Sequence, residues 1–203
     1  YMKTPHIDRI ALEGALFERA FHTTPICSPN RASIVTGQYA SRHGIIDNVA
    51  RDAMSHRLPN YHLALQKLGY QTAHVGKWHM GNSGMPRPGY DHWIAYDGHG
   101  RLNDPRLNEN GTYVERKGYV TDLMNTLATE FVERKHEKPW SLFFAHKAVH
   151  PDAAGLVVRD LLRLRRIGDV VDLEASGVIA ALRLFLDRRD VGGDRPRGLA
   201  ADV

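Results

Sequence analysis

Short apolar strands alternate with amphipathic helices through the first 145 residues, and this alternation limits the folds open to the chain. Residues 71–75 are bounded by glycines and indicate a strand, and residues 141–145 indicate a buried one. Strands linked through helices imply an α/β layer with a mostly parallel sheet. Residues 82–117 are rich in Gly, Pro, Asn and Asp, a composition that predicts a long loop segment with little regular structure. The other predicted elements are a strand at 15–21 and helices at 5–12, 29–36, 60–68 and 120–135, the last with a buried face at Leu123, Leu127, Phe131 and Val132.

Residues 27–37 place the single cysteine of the chain just before an expected helix, and read Cys-Ser-Pro-Asn-Arg-Ala-Ser-Ile-Val-Thr-Gly. Proline is favoured at the first helical position, where its missing N–H costs nothing, so we expect the helix to begin at Pro29. Cys27 would then lie at the positive end of the helix, where backbone N–H groups favour an anion. Arg31, one turn later, carries a planar fork of donors suited to an oxyanion. The alternative is a buried structural cysteine, since free cysteine often packs as a small hydrophobe.

Residues 69–81 form a second distinctive run, Gly-Tyr-Gln-Thr-Ala-His-Val-Gly-Lys-Trp-His-Met-Gly. If the extended backbone continues beyond the strand, alternation places Lys77 and His79 on one face, so that a cation and an imidazole enter a cleft together. Trp78 and Met80 would point to the other face and anchor the segment in the core. The alternative is a solvated lysine beside an ordinary surface histidine.

Together the two runs resemble the two signatures of the type I sulfatases, in the same order and about 40 residues apart. The first signature is Cys-x-Pro-x-Arg followed by Thr-Gly, and the second is Gly-Tyr-x-Thr followed by Gly-Lys-Trp-His-x-Gly. The resemblance covers residues 4–152. It implies an alkaline-phosphatase-like fold, a large, mostly parallel mixed sheet sandwiched by helices, here incomplete. Further matching segments are residues 4–11, 88–93, 119–122 and 147–151.

The resemblance implies a sulfuric ester hydrolase, a class in which the cysteine of the first signature is oxidised after synthesis to formylglycine. The hydrate of this aldehyde at Cys27 would attack sulfur, release the alcohol and form a covalent sulfate ester. Arg31 and Lys77 would stabilise the hydrate and the charged oxygens around it. His79 would take a proton from the second hydroxyl so that sulfate leaves, and His150 would bind the ester oxygen or protonate the leaving group.

His150 matches the family less closely than His79 does. It follows Val149, whereas the corresponding family segment often has a proline at that position. The alternative for His150 is a loop histidine before a helix-breaking proline.

The resemblance also implies a metal ion, Ca²⁺ or Mg²⁺, whose ligands this sequence shows only in part. In sulfatases, paired aspartates on a strand before the segment matched by residues 4–11 bind the metal. A further Asp-Asn or Asp-His pair and a sulfate-binding lysine follow the position of His150, and none of these has a match here. Cys27, as formylglycine, is the one ligand that maps onto the chain, whereas Ca²⁺ takes about six oxygen ligands. We therefore expect an N-terminal-half fragment with an incomplete metal site and little hydrolytic activity.

The composition changes after Asp152, which predicts a boundary. Residues 153–203 contain nine Arg but no Lys or His, while residues 1–152 contain all seven Lys and all twelve His. We predict a partial sulfatase catalytic domain over residues 1–152 and a divergent tail over residues 153–203, from another reading frame or an unrelated sequence. A helical extension is the alternative, because apolar residues recur near helical spacing at 155–166 and 172–189.

The net charge of +4 does not indicate a nucleic-acid partner, because basic and acidic residues are interspersed and no basic cluster includes aromatic stacking positions. No apolar run reaches about 18 residues, so we expect no membrane span. The first residues lack the apolar stretch of a signal peptide. Sulfatases are often periplasmic, extracellular or lysosomal, and the sequence does not assign one of these compartments. The expected partners are a small-molecule or carbohydrate sulfate ester and a formylglycine-generating, or sulfatase-maturating, enzyme.

Three functions stay open at this point. The first is a sulfatase acting on sulfated sugars, and the second is a phosphonate or phosphate monoester hydrolase with the same aldehyde chemistry. The third is an inactive remnant that at most binds anions. Hydrolysis of aryl sulfates compared with aryl phosphonates would separate the first two.

Overall fold

A mixed sheet of seven described strands forms the centre of the protein in the computed structural model, in the order β4-β3-β2-β1-β5-β7-β6. The structure describes residues 4–148 and the backbone of two later strands, at 172–174 and 178–183. The strands are β1 (Gln71–Gly76), β2 (His92–Ala95), β3 (Arg106–Glu109), β4 (Thr112–Glu115), β5 (Trp140–Ala145), β6 (Asp172–Glu174) and β7 (Val178–Arg183). The helices are α1 (Pro5–Glu13), α2 (Cys27–Thr36), α3 (Ala40–His43), α4 (Asp52–Ser55), α5 (Tyr61–Lys67) and α6 (Val120–Glu133).

Strand β1 lies between β2 and β5 and is parallel to both. The other described pairs, β2–β3, β3–β4, β5–β7 and β6–β7, are antiparallel. The predicted α/β fold with a mixed sheet is therefore confirmed, although parallel pairing is confined to the three central strands. Antiparallel neighbours can be joined by tight turns and need no helical crossover, which explains how the outer strands follow each other so closely.

Helices cover both faces of the central strands, and the side chains of β5 show the two layers. Leu142 and Phe144 pack in the layer that includes α6, whereas Phe143 and Ala145 pack in the layer that includes α2. This is the two-residue period of a strand that is buried on both faces. The predicted sandwich of a sheet between helices is confirmed.

Helix α2 begins two residues earlier than the sequence predicts. Cys27 is its first residue and Pro29 its third, so the prediction that Pro29 opens the helix is wrong. Proline is tolerated at the third position as well, because N–H groups in the first turn have no acceptor within the helix. Cys27 consequently lies inside the first turn rather than ahead of it.

Helix α6 begins at Val120 as predicted, but its buried face is rotated from the predicted one. Leu123 is only half-buried, and Leu127 and Val132 pack at the margin of the core. The face follows a spacing of four, four and three residues, which is the period of a helix that lies flat on a sheet. Its fully buried apolar side chains are Val120, Met124, Ala128 and Phe131.

Residues 15–21 do not form the predicted strand. Leu16, Phe17 and Phe21 are 69, 80 and 86% exposed, although their types favour a strand. A strand exists only where a neighbour accepts its backbone hydrogen bonds, and no strand in the described part of the chain pairs with this segment. Local β preference alone is therefore insufficient here.

The stretch 82–117 contains three strands, contrary to the prediction of little regular structure. Strands β3 and β4 form a hairpin whose turn holds Asn110 and Gly111, with φ angles of 52° and 97°. Asn-Gly is the strongest short hairpin signal, because both positions require positive φ. This signal is present in the sequence, and it identifies the hairpin.

The later described strands contradict the helical alternative for residues 172–189. Residues 172–174 and 178–183 are strands, and β7 pairs along the whole of β5. The other predicted helical stretch, 155–166, lies outside the described residues. None of the helices in the described chain has the length and apolar character that a membrane span requires.

Candidate active site

The carboxyl ends of the three parallel strands lie side by side. Gly76 of β1 stands opposite both Ala95 of β2 and Ala145 of β5. Ligands of open α/β sheets bind beyond this edge of the strands, because the loops that follow neighbouring strands meet there. Side chains that can carry a charge or transfer a proton follow all three strands, among them Lys77, His79, His99 and Lys147.

The first turn of α2 is hydrogen-bonded to the segment that follows β1. Ser28 Oγ donates to the carbonyl of His79, and Arg31 Nη1 donates to the carbonyl of Lys77 at 2.6 Å. Cys27, the first residue of the helix, is a half-buried free thiol. The structure thus brings the helix turn that carries Cys27 and Arg31 to the segment that carries Lys77 and His79.

Arg31 supplies a buried positive charge in this turn. Arg31 is only 3% exposed. Burial lowers the pKa of Arg31, while the nearby Tyr96 and Cys27 side chains raise it. A guanidinium keeps its proton at physiological pH because its pKa is normally above about 12. The charge and the helix N-terminus therefore favour an anion beside Cys27.

Lys77 and His79 lie on one side of their segment, and Trp78 lies on the other. Lys77 Nζ donates to Nδ1 of His99 at 3.3 Å, and the His79 and His99 ring centroids are 4.2 Å apart. Trp78 packs in the layer that includes α2, and its Nε1 donates to Ser55 Oγ at 2.7 Å. The predicted division of the two faces is confirmed. The predicted extended backbone is wrong, because His79 has a φ of 54° in the left-handed region.

His99 and Lys147 are site residues that sequence reasoning missed. Lys147 is buried, and its Nζ donates to the carbonyl of Gly100 at 3.1 Å. His99 stands between Gly98 and Gly100, just after β2. A histidine between two glycines at a strand end is a usable signal, but it requires β2 to be recognised first.

The described residues do not form a site for the expected metal. Within residues 4–148, no group of three or more His, Cys, Asp or Glu side chains is placed to hold a metal ion. Cys27 alone does not fit Ca²⁺ or Mg²⁺, because these cations require about six oxygen ligands and the formylglycine made from one cysteine would supply only part of them. His150, predicted to meet the ester oxygen or the leaving group, lies outside the described residues.

The sequence pattern of the sulfatase family matches residues 1–155, about three quarters of the chain. This chain belongs to the sulfatase family. Family membership implies a metal ion and a formylglycine residue in the complete enzyme. Sulfatases are hydrolases that act on sulfate esters.

Among the similar proteins are two sulfatases of amino sugars. N-acetylglucosamine-6-O-sulfatase of Bacteroides thetaiotaomicron is 35% identical over 154 residues, which cover 73% of this chain and 26% of that protein. N-acetylgalactosamine-6-sulfatase of Mus musculus is 31% identical over 183 residues, which cover 73% of this chain and 35% of that protein. The chain therefore spans about a quarter to a third of the length of these two sulfatases.

Solved sulfatase structures share the fold. A structure of a protein in complex with its substrate D-glucosamine-2-N,6-O-disulfate matches with 35% identity and a TM-score of 0.66, over 73% of this chain and 30% of that one. A sulfatase from Pseudoalteromonas sp. matches with 19% identity and a TM-score of 0.62, over 80% and 44%. The second likeness shows the fold alone, and it agrees with the alkaline-phosphatase-like fold that the sequence predicts.

Proposed function

We propose that this chain carries part of the active centre of a sulfuric ester hydrolase whose nucleophile derives from Cys27. The observation that carries the proposal is the hydrogen bond from Arg31 to the carbonyl of Lys77. It joins the helix turn of the first sulfatase signature to the segment of the second. Two signatures distant in sequence thereby meet in one place, as a shared site requires.

The charges around this place fit a sulfate group. Three buried cationic side chains lie at the carboxyl edge of the sheet or against it: Arg31, Lys77 and Lys147. Cationic donors gathered beside the positive N-terminus of α2 favour an anion, and they suit the oxygens of a sulfate monoester.

Each matching residue has a definite role in the proposed reaction. The aldehyde made from Cys27 supplies, as its hydrate, the oxygen that attacks sulfur. Arg31 and Lys77 stabilise the negative charge on the sulfate oxygens. His79 accepts the proton whose removal expels sulfate, and His150 holds or protonates the ester oxygen.

The relatives direct the proposed specificity to 6-O-sulfated amino sugars. Both amino-sugar sulfatases described above are named for a 6-sulfate, and the solved complex holds a glucosamine that is sulfated at the same position. We propose the same class of substrate for the whole protein. A formylglycine-generating enzyme is the proposed maturation partner, because the motif around Cys27 keeps the cysteine, proline and arginine of the family signature.

We also propose that the catalytic-domain part of the chain is residues 1–152 and that residues 153–203 diverge from it. The family pattern ends at residue 155, close to the change in composition.

The test is hydrolysis by the chain after co-expression with a formylglycine-generating enzyme. The substrates are 4-nitrophenyl sulfate, N-acetylglucosamine 6-sulfate and a 4-nitrophenyl phosphonate ester. Because the metal site is incomplete, we expect only slow turnover of the sulfates, complete loss in Cys27→Ala, and a further loss of about 10²- to 10³-fold in Lys77→Met. Lys67→Met, at the exposed end of α5, is the matched control and should hydrolyse at the wild-type rate. Sulfate hydrolysis that persists in Cys27→Ala, or faster hydrolysis of the phosphonate, would overturn the proposal.

A further inference from the structure

His99 contacts both functional side chains of the second signature. Its Nδ1 accepts a hydrogen bond from Lys77 Nζ at 3.3 Å. Its ring packs on His79, with centroids 4.2 Å apart and planes inclined by 58°. One exposed histidine, distant in sequence from both signatures, therefore contacts the cation and the imidazole that the proposed reaction uses.

The turn that carries His99 is held at several points. The carboxylate of Asp97 accepts hydrogen bonds from the Gly84 N–H at 2.6 Å and the Tyr113 hydroxyl at 2.5 Å. Gly98 N–H donates to the Asn82 carbonyl at 2.9 Å. Since β2 is also fixed in the sheet beside β1, the backbone of His99 is held firmly relative to Lys77.

The residue after His99 adds a steric and a polar restraint. Gly100 has a φ of 65°, and a Cβ there would lie 2.3 Å from the ring of Tyr96. Its carbonyl accepts the hydrogen bond from Lys147 Nζ at 3.1 Å. The turn thus connects the residues that follow β1, β2 and β5, so that the loops after three parallel strands are tied together next to His99.

The chemistry of the lysine decides the protonation of His99. A lysine ammonium can only donate hydrogen bonds, so Nδ1 of His99 is the acceptor and the neutral ring carries its proton on Nε2. A second proton on His99 would place two cations in contact and remove the acceptor. His99 therefore acts on Lys77 as a fixed neutral acceptor rather than as a second positive charge.

We propose that His99 is a positioning residue, which orients the Lys77 ammonium through Nδ1 and supports the His79 ring from one side. The proposal rests on the proposed function for its effect on turnover, but not for the contact itself. Misplacement of a catalytic group by about 1 Å can cost about 10²-fold in rate. We expect loss of the acceptor to lower kcat by about 10- to 100-fold and to change KM for the sulfate ester by less.

Three variants separate the acceptor from the ring. His99→Asn keeps an acceptor near the position of Nδ1, His99→Gln places one nearer to Nε2, and His99→Phe keeps a ring without an acceptor. We expect His99→Asn to retain most of the wild-type kcat, and His99→Gln and His99→Phe to lose it. His56→Asn, an exposed histidine on the C-terminal side of α4, is the matched control. Equal kcat in all three variants, or equal losses in all three, would overturn the proposal.

A second measurement does not depend on activity. In a ¹⁵N spectrum of the wild-type chain labelled at histidine, His99 should be the neutral tautomer with a hydrogen-bonded Nδ1. Lys77→Met should shift that resonance and leave the His56 resonances unchanged. A His99 proton on Nδ1, or no response to Lys77→Met, would overturn the proposal. If the spectrum agrees and sulfate esters are not hydrolysed, the proposed function fails and the positioning contact stands.

Discussion

Arg31 Nη1 lies 2.6 Å from the carbonyl oxygen of Lys77, so a buried hydrogen bond from a charged donor joins helix α2 to the end of strand β1. Hydrogen bonds from charged donors are about twice as strong as neutral ones. The bond fixes the helix turn that starts at Cys27 against the segment with Lys77 and His79. Its loss should therefore affect both stability and the proposed reaction.

Replacing Arg31 by Met should lower the free energy of unfolding by about 1–3 kcal/mol, because a buried carbonyl loses its donor. Urea denaturation followed by circular dichroism measures this change. Arg42→Met, on an exposed position of α3, should leave the midpoint unchanged. Equal midpoints for the Arg31 variant and the wild type would show that the bond contributes nothing to stability.

Replacing Gly76 by Ala should destabilise the sheet severely. A Cβ at Gly76 would lie 2.1 Å from the carbonyl oxygen of Ala145, and the same oxygen accepts a hydrogen bond from the Lys77 N–H at 2.7 Å. Strands β1 and β5 must then separate or twist. We expect the free energy of unfolding to fall by more than about 4 kcal/mol, which is an exceptionally large loss for a point mutation. Soluble yield and thermal melting measure this loss.

Gly69→Ala is the control for the Gly76 substitution. Gly69 also has a positive φ, of 84°, but nothing lies within 4 Å of a Cβ there. Its cost is confined to backbone strain of about 1–2 kcal/mol. A similar loss in the two variants would argue against the close approach at Gly76.

Acidification should destabilise the fold through its buried histidines, among them His62 and His146. Burial lowers the pKa of His62 to about 3 and that of His146 to about 4. Below the unfolded-state pKa of about 6.5, the unfolded chain binds protons that the folded chain excludes. The free energy of unfolding is therefore highest above pH 6.5. As the pH falls from 6.5 towards the folded-state pKa values, each histidine lowers it by about 1.4 kcal/mol per pH unit.

Urea denaturation at pH values from 7 down to 4.5 measures this dependence. His62→Leu should reduce the slope of the free energy of unfolding against pH by about one proton. His56→Leu, at an exposed histidine, should leave the slope as it is. A slope identical in wild type and His62→Leu would contradict the assignment to His62.

Co-expression with a formylglycine-generating enzyme should convert Cys27 to the aldehyde. The peptide containing Cys27 should then lose the mass that corresponds to conversion of the thiol to an aldehyde, and it should react with a hydrazide probe. Arg31→Lys, which keeps the charge but removes the planar fork, tests whether the enzyme reads the motif. An unmodified peptide, alongside full conversion of a control sulfatase, would count against the role of Cys27.

The sequence is most informative where side-chain chemistry and local pattern agree. The helix predicted over residues 60–68 is Tyr61–Lys67, with Asn60 as its N-cap, and the predicted strands at 71–75 and 141–145 are β1 and β5. Capping side chains and continuous apolar runs are local signals, which is why they can be read without tertiary information.

The failures have tertiary causes. Residues 15–21 have the composition of a strand but no pairing partner among the described strands. His99 reaches the site because β2 lies beside β1, which no local pattern shows. The shared direction of Lys77 and His79 is predicted correctly, yet it arises from a left-handed turn at His79 rather than from a continuing strand. Which side chains meet at the edge of the sheet depends on how the strands pair, and paired strands can be distant in the sequence.

The two layers of the core also give the protein separate optical reporters. Trp78 and Trp93 are both 1% exposed in the layer with α2, with ring centroids 5.3 Å apart, whereas Trp140 is 1% exposed in the layer with α6. In a Trp140→Phe variant, tryptophan fluorescence comes only from Trp78 and Trp93, in the layer with α2. In a variant with both Trp78→Phe and Trp93→Phe, it comes only from Trp140, in the layer with α6. Two such variants let a single fluorometer follow the opening of the signature-bearing side independently of the opposite side.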